Sequence, residues 1–299
     1  MALFKKKTTL VHHLAYMGIM AGINLIFILL ATFIPPLMFL LILLLPFAST
    51  VVSYYCLKRY YIIYAVATVG LCLLCSFNIA DTLFYVVPAV VTGFVIGLLL
   101  EKKIHPFWLI LSSTLINAVL TYAFIPLADL ISNTLIVNSL LGIFSLQDFT
   151  YKTELVYLFI FFISLMQCAL SHFIILSDAK KIGIEINTRI NSFWPYIIGL
   201  EIAIALAVGC SLFYMPLSLV FICISFYFAV FLLLDIVFSK KLLIYILLAV
   251  LLLAMIFVFA IFYKSLKEPY GIVLTVIFPL AIGALSFLKN ILFKYPINI

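Results

Sequence analysis

Charge is what this 299-residue chain has least of. Lysine, arginine, aspartate and glutamate together make 9% of it, and only ten residues are acidic. Soluble domains carry about a quarter charged residues, so a water-exposed globular surface is excluded. No polar stretch is long enough to fold as a separate soluble domain, which confines function to a helix bundle and its short loops. Signatures of chemistry are missing too. There is no HExxH, no P-loop, no nucleophile elbow and no paired acidic motif, and the chain is expected not to be an enzyme.

Six cysteines are present, at 56, 72, 75, 168, 210 and 223, all inside apolar stretches. Cys72 and Cys75 form a CxxC, which in a soluble protein would suggest redox or zinc chemistry. A thiol buried among apolar side chains is hard to ionise, so these read as small packing residues. His12 and His13 are adjacent and point to different faces of a helix. No metal and no cofactor is expected.

What the chain does have is apolar length. Hydrophobic residues make 68% of it, in stretches near or above the roughly 20 residues that cross a bilayer as a helix. The expected fold is an all-α polytopic transmembrane bundle of ten spans, at 12–33, 37–57, 61–79, 82–100, 107–128, 155–176, 194–214, 217–238, 242–263 and 270–292. Fourteen of the seventeen basic residues then share one side with the N-terminus. Lys152, Lys264 and Lys267 take the other, so the positive-inside bias places both termini in the cytoplasm. The basic residues sit in pairs at helix ends, where they anchor lipid headgroups; the net charge of +7 does not imply a nucleic-acid partner. The expected location is a bacterial plasma membrane, crossed many times.

The most polar stretch, SDAKKIGIEINTRINSF from Ser177 to Phe193, divides the chain into a six-helix half (1–178), a cytoplasmic connector (179–193) and a four-helix half (194–299). The first half has a small-residue opening helix, LAYMGIMAGINLIF, ending at Pro35 and Pro36. A short return span and FYVVPAVVTGFVIGLLLEKK follow. This half resembles the S components of energy-coupling factor transporters, six-helix proteins that hold a vitamin or metal ion near the outer face. Over its full length, with AKKIGIEI at 179–186 and FWP at 193–195, the chain resembles the YybS-like family of bacterial membrane proteins, a domain of unknown function. The resemblance implies solute binding or transport and an energy-coupling membrane subunit with ATPases as partner. It also implies a ligand site at the outer ends of the first, third and fifth spans, near Asn78, Asp81 and Asp129. Asp81 also suits the N-cap of the fourth helix. On the first helix Ala15 is followed four residues later by Ile19 where S components have a second alanine, and Gly18 with Gly22 supply a shifted small pair.

Helices in lipid associate through small residues and interhelical hydrogen bonds. Gly18 with Gly22 and Gly93 with Gly97 are both GxxxG pairs, and each predicts a close crossing. The fifth span carries Ser113, Asn117 and Thr121 at i, i+4 and i+8. The sixth carries Ser164, Gln167 and Ser171 at i, i+3 and i+7, beside Cys168 and His172. Asn24 adds an amide in the first span. Two readings stand for these groups, a ligand cavity or interhelical glue.

Glu201 lies seven residues past Trp194, about 10 Å into the membrane at 1.5 Å per residue. A charged acid near mid-bilayer costs about 2.5–3.5 kcal/mol on insertion scales. Glu201, Ala205 and Gly209 share one helical face, which predicts an inward carboxylate, with His172 as candidate partner. The candidate ligand set is Asp81, Asn117, Gln167 and Glu201, and His172 with Glu201 form the candidate proton or polar network. On the outer side, 129–153 is the longest connection, apolar enough to lie in the interface or act as a lid. The leading functional expectation is solute binding or transport. The alternative is a non-transporting membrane scaffold that engages a partner through the connector.

Overall fold

A computed structural model of the chain describes residues 9–34, 38–75, 79, 82–132, 151–182, 193–238, 246–251, 253–255 and 270–293. Among these residues there is no strand. The helices are α1 (Leu10–Phe33), α2 (Met38–Tyr55), α3 (Lys58–Cys75), α4 (Val87–Glu101), α5 (Pro106–Ser132), α6 (Lys152–Ile182), α7 (Trp194–Ser211) and α8 (Met215–Phe238). After them come α9 (Ile246–Met255), the one-turn α10 (Tyr270–Val273) and α11 (Ile277–Phe293). Eight helical segments among the described residues are long and apolar enough to cross a membrane, and Leu41–Tyr55 and Ile246–Met255 are shorter apolar helices. The protein is an all-α, multi-pass membrane protein.

Local chemistry sets the helix ends. The Thr9 hydroxyl accepts from the His12 amide at 3.4 Å and caps α1. Pro88 cannot donate to the carbonyl four residues back, and the turn before α4, Thr82–Val86, widens into a π-helix. At the far end of α4 the Lys103 amide donates to the Leu100 carbonyl and the Ile104 amide to that of Leu99, while Lys103 adopts φ 53°. That pair of bonds is the Schellman closure, here with lysine where glycine is usual.

The chain falls into two compact units, Met1–Leu140 with Ile163–Thr188, and Leu141–Phe162 with Arg189–Ile299. The first eleven residues of α6 therefore belong to the second unit and the rest to the first.

In the first unit α2 and α4 run parallel at close range. A Cβ added to Gly93 would collide with Ser49 and lie 2.8 Å from the Pro46 carbonyl oxygen; one added to Gly97 would meet Ser53 at 2.5 Å. Only glycine admits that approach. Ser53 strengthens the contact, donating to the Phe94 carbonyl at 3.0 Å. The Gly18 and Gly22 pair behaves differently, with no atom within 4 Å of an added Cβ at either position. The close crossing expected there is not formed, because no described neighbour lies over that face of α1.

In the second unit α7 and α8 form an antiparallel pair. The Tyr196 ring stacks on Phe231 with centroids 5.0 Å apart, Gly199 faces the Phe228 ring, and Ser218 donates to the Ala207 carbonyl at 2.7 Å. The last helix runs parallel to α8, since Gly283 lies beside Leu232 and, three residues on, Ser286 meets Asp235.

Candidate functional site

Two helical stripes in the first unit build the candidate site. On α5, Ser113, Thr114 and Asn117 are wholly buried; on α6, Ser164, Gln167, Cys168, Ser171 and His172 are buried as well. The Asn117 amide donates to Gln167 Oε1 at 2.5 Å, and Gln167 Nε2 donates to the Ile42 carbonyl of α2 at 3.1 Å. Proline explains the last bond. Pro46, four residues after Ile42, has no N–H to give, so the Ile42 carbonyl lacks its helical donor. Where no water competes, another helix must supply one, and Gln167 does.

Around this chain of amides several polar atoms have no hydrogen-bond partner among the described residues. They are Asn117 Oδ1, Ser164 Oγ, Ser171 Oγ and both ring nitrogens of His172, while the Thr114 hydroxyl faces the Cys168 thiol. Ser113 is not among them, because its hydroxyl donates to the Leu109 carbonyl of its own helix at 2.7 Å. The arrangement offers hydroxyls that donate or accept, one amide acceptor and an imidazole, and none is a carboxylate or an ammonium.

A second buried cluster joins α1, α2 and α3. Asn24 Nδ2 donates to the Tyr64 hydroxyl at 3.0 Å and lies 3.4 Å from Ser49 Oγ, and Ser49 and Tyr64 share a bond of 3.1 Å. Ser49 and Tyr64 drew no attention in the sequence, although both lie on helices facing Asn24.

Glu201 is not part of either cluster. It belongs to the second unit, is exposed, and makes no hydrogen bond or ion pair with a described residue. The expectation that it turns inward is corrected. On α7 the buried face is Tyr196, Leu200, Ala203 and Ala207, whereas Glu201, Ala205 and Gly209 all lie outward. Both faces carry small residues two positions apart, a rotation of about 200° at 3.6 residues per turn. The helix packs through Ala203 and Ala207. His172 likewise has no hydrogen-bond partner among the described residues. Asp81, Asn78, most of the 129–153 connection and 183–192 of the connector lie outside the described residues.

The sequence reading missed an ion pair in the second unit. Asp235 of α8 and Lys289 of α11 are both buried and meet at 2.6 Å. The signal was there in Ser286, Lys289 and Asn290, which at i, i+3 and i+4 mark one polar face on an apolar helix. Lys289, counted above as a cytoplasmic anchor, is instead an interior residue.

No protein-family model, no curated protein and no solved structure matches the chain.

Proposed function

We propose that this protein binds a small, uncharged polar solute inside its first unit, between α5 and α6, and serves the transport of that solute across a bacterial plasma membrane without catalysing a reaction on it. The observation that carries the reading is the set of unpaired polar atoms around Asn117 and Gln167. Polar groups that merely hold helices together satisfy one another, as Gln167 Oε1 and Nε2 are satisfied by Asn117 Nδ2 and the Ile42 carbonyl. Four neighbouring residues with unmatched polar atoms have capacity to spare, and each such atom buried without a partner costs about 1–3 kcal/mol. Their mixture of donors and acceptors without net charge suits a neutral ligand with several hydroxyl or amide groups.

The reading includes ten spans with both termini in the cytoplasm. Supporting it are the eight long apolar helices with the two shorter ones, the parallel run of α8 and α11, and the basic residues gathered on one side. Membrane lipids surround the bundle. The resemblance to S components and to the YybS-like family agrees with a separate energy-coupling membrane subunit and its ATPases. Exposed Ala15 and Gly18 on α1 leave room for a helix of such a partner.

The test is direct. Small molecules released on denaturing the detergent-purified protein are identified by mass spectrometry, then titrated back against thermal unfolding. Wild type should be stabilised by its ligand, and Asn117→Ala and His172→Ala should lose most of that shift while still folding. If nothing is released and no solute in a broad panel raises the unfolding temperature, the polar interior is packing alone.

A further inference from the structure

The second unit holds a charged site with no part in solute binding between α5 and α6. Asp235 and Lys289 are 4% and 8% exposed, and Ser286 is wholly buried. Lys289 Nζ donates to Asp235 Oδ1 at 2.6 Å and to the backbone carbonyl of the same residue at 2.9 Å. Ser286 Oγ donates to the other carboxylate oxygen, Oδ2, at 3.1 Å. Asn290 Nδ2 lies 3.5 Å from Oδ2 and donates to the Ser286 carbonyl at 2.9 Å.

The Asp235 backbone carbonyl is turned to the same Lys289 ammonium that its carboxylate meets. A carboxylate and a backbone carbonyl of one residue thus converge on one point. That point suits a compact single positive charge with short contacts to oxygen. Lys289 fills it from another helix.

Packing alone gives little reason for charge here. Ile236 and Leu285 form an apolar core beside the pair, with Leu248, Leu251 and Ile282 against it, and Gly283 fits close to Leu200 and Leu232. Replacing a buried ion pair by apolar residues of similar volume is often neutral or stabilising. Ionisable groups inside a membrane bundle are rare and costly, and they mark substrate and ion paths. The occupant is also movable. Lys289 lies near the end of the apolar span Gly271–Ile291, where a long lysine side chain can extend along its helix and put its ammonium among the headgroups. Among the described residues, α7 adds Glu201 on its outward face and the Tyr196 ring on Phe231, and α9 adds no titratable group.

We propose that the Asp235 carboxylate and carbonyl, with Ser286 and Asn290, form a seat for a small monovalent cation, and that Lys289 is its tethered, exchangeable occupant. When a sodium ion, a potassium ion or a primary ammonium enters, the Lys289 ammonium withdraws to the headgroup layer still protonated. The second unit then gains a positive charge in solution-facing form while the buried site stays neutral.

Two measurements test this. In the purified wild-type protein, an amine-reactive ester is applied in sodium, potassium or choline chloride at one ionic strength, and Lys289 modification is read by peptide mass spectrometry with Lys102 as internal reference. Lys289 labelling should rise several-fold in sodium or potassium over choline, which is too large for the seat. Equal labelling in all three overturns the proposal and leaves the pair a clamp. In parallel, Lys289→Met should unfold at a higher temperature in sodium, potassium or methylammonium than in choline, and Asp235→Asn/Lys289→Met should be indifferent. The cation giving the largest shift separates an inorganic ion from an amine ligand. A Lys289→Met protein with the same unfolding temperature in every salt also overturns it.

Discussion

Gln167 of α6 donates its side-chain amide to the Ile42 carbonyl, the group that Pro46 leaves without a donor inside α2. A proline in one helix thus fixes where another helix must place an amide. The same glutamine accepts from Asn117, so a single side chain ties α2, α5 and α6.

Gln167→Leu should therefore lower the stability of the detergent-solubilised protein by about 2–4 kcal/mol, since it strands two buried groups at about 1–3 kcal/mol each, with partial relief on repacking. Pro46→Ala restores an N–H within reach of the Ile42 carbonyl. In a double-mutant cycle by thermal unfolding, Gln167→Leu should cost less in the Pro46→Ala background than alone. Equal costs in both backgrounds would show that the glutamine and the proline are not coupled.

How much of this was legible beforehand follows from which facts are local. Apolar length and paired basic residues identify membrane helices without any tertiary knowledge, and the spacing of Ser113, Asn117 and Thr121 against Ser164, Gln167 and Ser171 marks two faces that do meet. The Ile42 acceptor was hidden because its need arises from a missing atom in Pro46. Asp235 and Lys289 are 54 residues apart, and each, near the end of an apolar stretch, looks like an interfacial residue. The face of α7 was undecidable, because small residues occur on both sides of it.

The two GxxxG pairs separate pattern from consequence. Gly93→Ala and Gly97→Ala place a methyl group against α2, where Pro46 and Thr50 backbone atoms stand in the way of the first and Ser53 of the second. Each should destabilise by about 1–3 kcal/mol, the usual cost of overpacking. Gly18→Ala and Gly22→Ala meet open space and should be neutral or stabilising by up to about 1 kcal/mol through helix propensity. Thermal melts of the four variants give the comparison.

Lys103 makes a smaller, cleaner case outside the bilayer. Its φ of 53° is a conformation that costs an L-residue about 1–2 kcal/mol and glycine almost nothing. Lys103→Gly should raise the unfolding temperature unless the lost charge matters to headgroup anchoring. Lys102→Ser, which removes a neighbouring charge without changing the backbone, measures that second contribution separately.

The orientation can be read by cysteine labelling in a cysteine-free background. Cysteines at 102 and 240 should react with an impermeant maleimide only in inside-out vesicles, and those at 152, 214 and 267 only in right-side-out cells. Positions 240 and 267 flank the stretch that must cross if α8 and α11 run parallel. Reaction of both from one side would mean that α9 does not span and that one of those helices enters the membrane differently.

Glu201 supplies the last test, because its exposed position reverses what its neighbours suggested. An inward carboxylate bonded across a helix seam would make Glu201→Leu strongly destabilising, since its partner would be left unsatisfied. An outward carboxylate without a partner has nothing to leave behind, and leucine is the better residue against lipid. Glu201→Leu should insert at least as efficiently as wild type and melt no lower in detergent. Ala203→Leu, two positions further on but on the buried face, should be poorly tolerated, because it pushes α7 off α8. If Glu201→Leu is instead the damaging variant in cells and harmless in the purified protein, the carboxylate meets a donor from another membrane protein, and copurification of that partner with wild type but not with the variant would follow.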